Sequence, residues 1–182
     1  MEENKLIEGC VHGESWAQKI MYESYAPAMM SVCQRYACNR ETAQDLMHDG
    51  FVKMFSNIHQ YSGTGSFNGW MRRIFVTTAL EYLQKKDVLR YASDVREMEV
   101  QDEDINISLF EHLSTDDLLE CIASLPERYR AVFNLHAIEG YSHAKIAGEL
   151  GISETTSRSN YSRARQLLQK TVLNVFKSSK RG

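Results

Sequence analysis

Residues 141–165, YSHAKIAGELGISETTSRSNYSRAR, join two apolar-periodic segments at Gly151. Apolar side chains recur at helical spacing on both sides of this glycine, which predicts two short helices. Ser142 and Ser153 stand where a serine hydroxyl can accept hydrogen bonds from the free N–H groups of a helix start. Two short helices joined by a tight glycine turn form a helix-turn-helix.

The second of these helices carries side chains that are typical of nucleic-acid contacts. Its basic and amide residues are Arg158, Asn160, Arg163 and Arg165, and small hydroxyl residues lie between them. These residue types contact phosphates and base edges. An ordinary helical hairpin with a solvated charged face would show the same spacing, so the rest of the chain decides between the two interpretations.

The distribution of charge favours nucleic-acid binding, although the net charge of the chain is −3. Residues 93–117 contain nine acidic and one basic side chain, whereas residues 118–182 contain ten basic and five acidic ones. Residues 61–90 add five basic and two acidic side chains. Two basic regions therefore flank an acidic segment, and such local patches can attract phosphates whatever the total charge.

The fold class is predicted to be all-α, because the chain has only two prolines and no alternating β-rich runs. Helices are expected over residues 15–38, interrupted near Pro27, and over about 41–58 and 68–86, with a glycine-rich loop at 61–69. Ser114 and Asp117 have capping-box spacing, and Pro126 suits the first residue of a helix.

Two small helical domains are predicted, over residues 15–92 and 114–177, joined by a flexible acidic linker at 93–113. The N-terminus MEENKLIEGC is not signal-like and no apolar stretch could span a bilayer, so we expect a cytoplasmic protein without stable membrane association. Cys33 and Cys121 are expected in cores as reduced thiols. Cys10 and His12 are close enough to contact a metal but lack further ligands, and no metal or other cofactor is predicted. No catalytic motif is present, which argues against an enzyme.

The chain resembles a known family over most of its length, from about residue 15 to 175. Residues 125–169 resemble region 4 of the bacterial extracytoplasmic-function (ECF, group 4) sigma factors of the sigma-70 family. The matching positions are Leu125-Pro126, Arg130, Val132-Phe133, Glu139-Gly140, Ile146-Ala147, Leu150 to Ser153, Thr156 and Arg163 to Arg165. Residues 43–55 and 65–74 are similar to regions 2.2 and 2.3. The departures from the pattern are His48, Thr77, Glu81, Gln84, Lys145, Thr155 and Ser157.

The resemblance implies an alternative sigma factor that binds core RNA polymerase and starts transcription of a stress or envelope-response regulon. It implies that region 4 recognises the −35 element as duplex DNA. The helix at 153–166 could enter a major groove, with Arg158 as the strongest candidate contact. The full candidate set is Ser153, Thr155, Thr156, Arg158, Ser159, Asn160 and Arg163. Arg165 could equally be a packed or solvated residue.

The resemblance also implies that region 2 recognises the −10 element and helps to open the duplex. The loop at 61–69 could offer backbone amides and a pocket, and Asn68 could bind a base edge. The candidate set is Asn68, Trp70, Arg72, Arg73, Thr77, Lys85 and Lys86. Trp70 could instead be a core residue, since aromatic side chains at helical spacing usually pack inside.

The helix at 41–58 is implied to bind the clamp helices of the largest polymerase subunit. Its candidate residues are Asp45, His48, Asp49, Phe51, Met54 and Phe55, an acidic edge beside an apolar ridge. A plain core helix with a solvated acidic face is the alternative. The resemblance further implies a contact of region 4 with the polymerase flap, an anti-sigma factor as partner, and a linker near the RNA-exit path, unless it is only a spacer. A stand-alone DNA-binding regulator is the competing functional class.

Overall fold

The computed structural model describes residues 3–37, 39–85 and 114–179, with side chains described to residue 174. The chain divides into two compact units, Met1–Tyr82 and Leu83–Gly182. Every regular element in the described ranges is helical. The all-α prediction is therefore confirmed for this part of the chain, whereas the predicted linker at 93–113 lies outside the described residues.

The first unit is built from α1 (Glu3–Val11), α2 (Ser15–Tyr36), α3 (Arg40–Asn57) and α4 (Phe67–Lys85), which runs a few residues past the boundary between the units. A 3₁₀ turn, Ile58–Gln60, follows α3. The fully buried residues of this unit include Met21, Tyr36, Met54 and Phe75. Burial of these large apolar side chains supplies the main free energy that holds the four helices together.

Close contact between α3 and α4 depends on a glycine. A Cβ atom added to Gly50 would lie 2.5 Å from the Cε1 atom of Phe75, which is closer than real carbon contacts allow. The ring of Phe75 also meets Phe51 edge-on, with 5.0 Å between ring centroids. Only the smallest residue at position 50 lets the two helices approach this closely.

The second unit contains α5 (Thr115–Ala123), α6 (Glu127–Phe133), a π-helix (Asn134–Ile138), α7 (His143–Leu150) and α8 (Glu154–Ser179). The capping box predicted for Ser114 and Asp117 is present at the start of α5. Pro126 stands at the N-cap position of α6, one residue before the helix begins, and is not its first helical residue. The core packs α5 and α6 against α8 through a cluster that includes Cys121, Ile122 and Leu168.

The helix-turn-helix predicted around Gly151 is confirmed. The hydroxyl oxygen of Ser142 accepts a hydrogen bond from the backbone N–H of Lys145, which caps α7. Gly151 has a φ of +64°, a left-handed conformation that glycine adopts without steric cost. The hydroxyl of Ser153 accepts from the backbone N–H of Thr156 at 3.0 Å, so the second cap also forms as expected.

Several predicted boundaries are wrong. α2 continues through Pro27 without a break. Proline has no backbone N–H, so the carbonyl of Glu23 lacks its usual helical hydrogen bond. Because Pro27 and Glu23 are both exposed, water can bind this carbonyl instead. The loop predicted at 61–69 ends at residue 66, because α4 begins at Phe67. The helix predicted at 153–166 extends to Ser179. The α1 helix was not predicted. Trp16, near the start of α2, is 42% exposed.

Candidate nucleic-acid interface

The part of α8 that follows the turn, residues 154–166, is called the recognition helix below. One side of it is buried: Ser157 and Ala164 are fully covered, and Asn160 is only 6% exposed. The hydrogen bond between Ser157 Oγ and His143 Nδ1, 2.9 Å long, ties this side to α7. Asn160, predicted to contact DNA, therefore faces the core of the unit, because it follows the buried Ser157 by one helical turn.

The opposite side of the recognition helix presents small polar side chains. With 100° of rotation per residue, Thr155, Ser159 and Ser162 lie on one line that faces away from Ala164. Thr155 is exposed, whereas Ser159 and Ser162 are half-buried. Ser162 was missed by the sequence analysis, although its spacing from Thr155 and Ser159 could have indicated it. We call these three residues the outward line.

Arginines flank the outward line. Arg158 is exposed, and its Nη2 atom lies 2.5 Å from Glu154 Oε1. This ion pair joins residues that are one helical turn apart. On the other side stand Thr156, which is exposed, and Arg163, which is half-buried. The Arg165 guanidinium lies 5.8 Å from the centroid of the Tyr161 ring, so the packed alternative for Arg165 has a contact to support it.

The second candidate surface surrounds the loop at 61–66 in the first unit. Gly63 and Gly65 both have positive φ, at +74° and +81°, and the Tyr61 hydroxyl donates a hydrogen bond to the Gly65 carbonyl at 2.8 Å. Trp70 is half-buried, and its ring centroid lies 5.5 Å from that of Tyr61 and 5.6 Å from that of Phe67. Trp70 therefore packs against the loop and still keeps accessible surface.

An open pocket of about 400 Å³ lies between α3 and α4, and we call it the α3–α4 pocket. Its walls combine one aromatic ring with amide, hydroxyl and cationic side chains. The lining residues are Lys53, Asn57, Gln60, Trp70, Arg73, Ile74, Thr77 and Thr78. A single nucleobase fits such a volume, and these side chains can stack on it and bind its polar edge.

Three residues predicted for −10 contacts thus meet at the α3–α4 pocket, namely Trp70, Arg73 and Thr77. Asn68 and Lys85 are exposed and Arg72 is half-buried, but none of the three lines the pocket. Lys86 lies outside the described residues. No −10 contact was predicted for Lys53, Asn57 or Gln60, because they belong to α3 and the following turn rather than to the loop or α4. The Nζ atom of Lys53 lies 2.5 Å from Glu81 Oε2.

The outer face of α3 carries the predicted acidic edge but not the whole predicted apolar ridge. Asp45, His48 and Asp49 are exposed as expected, but Phe51 and Met54 are buried in the core of the first unit. These two residues are therefore removed from the predicted contact surface, because their side chains pack against neighbouring helices. The exposed apolar residue on this face is Val52, which is 63% exposed.

Phe55 is half-buried at the edge of the same face and stacks on Phe51, with 6.0 Å between ring centroids. It therefore keeps some surface for a partner, unlike Phe51 itself. The helical period places Asp45, Asp49 and Val52 on one side of α3, since they follow one another at steps of four and three residues.

The described residues give little indication of metal or thiol chemistry. No group of three or more His, Cys, Asp or Glu side chains among them could hold a metal ion. Cys33 and Cys121 are buried in cores as predicted, and burial raises the pKa of the Cys33 thiol to about 12. Within the same ranges, none of the helices combines the length and apolarity of a membrane span.

The fold and its surfaces define an all-α protein with a helix-turn-helix in one unit and a polar pocket in the other. Comparison with known proteins agrees with this class. Residues 21–88 match the family "Sigma-70 region 2", and residues 115–168 match "Sigma-70, region 4". The two matches lie inside the two domains predicted from the sequence.

Similar proteins are described as ECF RNA polymerase sigma factors. The "ECF RNA polymerase sigma factor SigE" of Mycolicibacterium smegmatis is 30% identical over 158 residues, which cover 85% of this chain and 60% of that protein. The "ECF RNA polymerase sigma-E factor" of Haemophilus influenzae is 24% identical over 182 residues, which cover 94% of this chain and 96% of that protein.

A solved structure has a similar fold. It is the sigma factor RpoE of Bartonella quintana in complex with the anti-sigma factor NepR, with a TM-score of 0.50 and 19% identity, covering 85% of this chain and 95% of that one. The chain belongs to the ECF sigma factors of the sigma-70 family. These proteins are alternative sigma factors, which act in promoter recognition and transcription initiation.

Proposed function

We propose that the recognition helix binds the −35 element through its outward line and the arginines beside it. The observation that carries this proposal is the line of Thr155, Ser159 and Ser162, which faces away from the core of its unit. Small hydroxyl side chains let a helix approach base edges closely, and a major groove is wide enough to admit it. Arg158 and Arg163 stand where phosphates or guanine edges would meet them.

The α3–α4 pocket is proposed to hold one unpaired base of the −10 element. Extruding a base costs a few kcal/mol, which stacking and hydrogen bonds in a pocket can offset. Trp70 supplies an aromatic face, whereas Thr77 and Asn57 supply polar contacts. Arg73 and Lys53 would neutralise the phosphates on either side of the base. Asn68, Arg72 and Lys85 would guide the strand beyond the pocket.

The exposed face of α3 is proposed to bind the clamp helices of the largest polymerase subunit. Asp45, His48 and Asp49 surround Val52, which would give this surface an apolar centre with a charged rim. Interfaces commonly have this arrangement. Phe55 would extend the apolar part at its edge. The second unit is proposed to contact the flap region of the polymerase.

Two further assignments are proposed from family membership. An anti-sigma factor is proposed as a partner, because the similar solved structure is a sigma factor in complex with one. The protein is proposed to work in the cytoplasm, where polymerase and promoter DNA are found.

Polymerase binding can be tested with two exposed valines. Val52 and Val11 are 63% and 47% exposed, and both lie on helices of the first unit. Co-elution of the purified protein with core RNA polymerase on a sizing column should be lost in Val52→Glu and retained in Val11→Glu. Equal retention of both variants would mean that the α3 face does not bind polymerase.

DNA recognition can then be tested with the holoenzyme. A randomised duplex library should yield promoters with two separated sequence elements, one for each unit. If the protein binds duplex DNA tightly without polymerase and does not co-elute with polymerase, the stand-alone regulator would replace the sigma-factor proposal.

A further inference from the structure

Three aromatic rings from different elements meet where the recognition helix packs against the rest of its unit. They belong to His136, His143 and Tyr161, and we call them the ring cluster. His136 and His143 stack with 4.1 Å between ring centroids and 20° between ring planes. Tyr161 meets His136 edge-on at 4.6 Å. His136 comes from the π-helix, His143 from α7 and Tyr161 from α8. The ring cluster therefore joins both helices of the helix-turn-helix to the π-helix that precedes them.

Hydrogen bonds hold both histidines in place. The Nδ1 atom of His136 lies 2.8 Å from the carbonyl oxygen of Tyr141, and because a carbonyl only accepts, this Nδ1 carries a proton. The Nδ1 atom of His143 lies 2.9 Å from the hydroxyl of Ser157, a fully buried residue of the recognition helix. His143 thus provides a hydrogen-bonded link between α7 and the buried side of the recognition helix.

Most of the charged groups around His143 disfavour the protonated, positively charged form of its ring. The π-helix contributes His136, and α8 contributes Arg158 and Glu154, whereas Lys145 of α7 lies over the ring of Tyr141. Burial lowers the pKa of His143 below its ordinary value of 6.5, the charges of His136 and Arg158 lower it further, and Glu154 opposes them.

The direction of the pH effect follows from this lowered pKa. A base whose pKa is lowered by folding binds fewer protons in the folded state. Its contribution to stability is complete above pH 6.5 and is lost as the pH falls through the lowered pKa. When both rings are charged, two cations face each other at a centroid distance of 4.1 Å and repel.

We infer that the stacked His136–His143 pair is a pH-sensitive positioning device, in which charging both rings separates them and releases the recognition helix from α7. The consequence for −35 binding rests on the proposed function of that helix. The movement of the helix does not, because it depends only on contacts within the second unit.

The inference can be tested by nuclear magnetic resonance on the full chain, without DNA or polymerase. The ring protons of His143 and the backbone amides of residues 154–161 are followed from pH 8 to pH 5. His143→Asn is the informative variant, since an asparagine side chain can bond to Ser157 and does not take up a proton. His59→Asn is the matched control, because His59 is exposed in the 3₁₀ turn of the other unit.

We expect the His143 ring to titrate below pH 6.5 and the amides of residues 154–161 to shift with the same midpoint. The amide transition should be absent in His143→Asn and unchanged in His59→Asn. A His143 midpoint at or above 6.5, or amides that do not follow the ring, would overturn the inference. If His143→Asn does not fold, the two midpoints of the wild-type chain decide. A negative result here leaves the −35 assignment untouched, since that assignment is tested with the holoenzyme.

Discussion

The recognition helix and the α3–α4 pocket differ in shape, and the proposed function assigns them to two different forms of DNA. The recognition helix presents a convex line of hydroxyl side chains from one element. The pocket is concave, and α3, the turn after it and α4 each contribute to its walls. A convex helix can enter the groove of an intact duplex, whereas a single base must leave its stack before a pocket can hold it. The two geometries fit the duplex-binding and strand-opening steps that are proposed for the two units.

The two surfaces share one electrostatic feature. Arg158 pairs with Glu154, and Lys53 pairs with Glu81, each at 2.5 Å and each partly exposed to solvent. Exposed ion pairs of this kind contribute little to stability, about 0–1 kcal/mol. In both places a DNA phosphate would have to compete with a carboxylate for the cation. The carboxylates would therefore weaken any phosphate contact of these cations, while they contribute little to the stability of the fold.

The largest expected effect is a loss of stability that is confined to the first unit. Gly50→Ala would place a Cβ atom 2.5 Å from the Phe75 ring, and we expect the free energy of unfolding of the first unit to fall by about 2–3 kcal/mol. The second unit should be unaffected, because the contact lies within the first. Fluorescence of Trp16 and Trp70 during urea denaturation reports on the first unit. A loss below about 0.5 kcal/mol would show that the helices can move apart at little cost.

The next effect separates opening from duplex binding. Arg73→Glu places a negative charge in the wall of the α3–α4 pocket, and we expect promoter opening by the holoenzyme to fall about 30-fold, equivalent to about 2 kcal/mol. Duplex binding at the −35 element should persist. Arg40→Glu is the control, since Arg40 is exposed at the start of α3 and does not line the pocket. Equal losses in both variants would point to total charge rather than to the pocket.

A smaller effect is expected on the recognition helix. Arg158→Ala should weaken holoenzyme binding to a selected −35 duplex about tenfold, as expected for one base or phosphate contact worth about 1–3 kcal/mol. Glu154→Gln breaks the same ion pair but keeps the arginine, so binding should be unchanged or tighter. Fluorescence anisotropy with a labelled duplex measures both. If the two variants weaken binding equally, the ion pair matters only for the helix itself.

The smallest effect is a stabilisation of the second unit. Gly148 lies within α7, and a Cβ atom added there would meet nothing within 4 Å. Gly148→Ala should therefore raise the free energy of unfolding of this unit by about 0.5–1 kcal/mol, because alanine is the better helix former. Circular dichroism during denaturation can follow this change. Destabilisation instead would reveal a contact that the open surface does not show.

Local signals explain why the helix-turn-helix could be predicted from the sequence. Ser142, Gly151 and Ser153 set the ends of α7 and α8 through hydrogen bonds and one left-handed residue, all within a few positions of each other. Such signals are present in the sequence without knowledge of tertiary contacts. The capping box of Ser114 and Asp117 was predicted for the same reason.

Tertiary contacts explain what could not be predicted. The helical period of α3 separates its faces, but only packing shows that Phe51 and Met54 face inwards and Val52 outwards. The α3–α4 pocket joins Lys53 and Asn57 to Trp70 and Arg73, which come from a different helix, so no local pattern indicates it. The continuity of α2 through Pro27 likewise depends on which side of the helix faces solvent.

The central claim is that one unit binds duplex DNA while the other holds an opened strand. The most direct test is permanganate reactivity of thymines, combined with a footprint, on promoters selected by the holoenzyme. We predict reactive thymines at the −10 element with the wild-type protein, and loss of this reactivity in Arg73→Glu while the upstream footprint remains. Reactivity that is unchanged in Arg73→Glu, or loss of reactivity and footprint together, would contradict the division of labour between the two units.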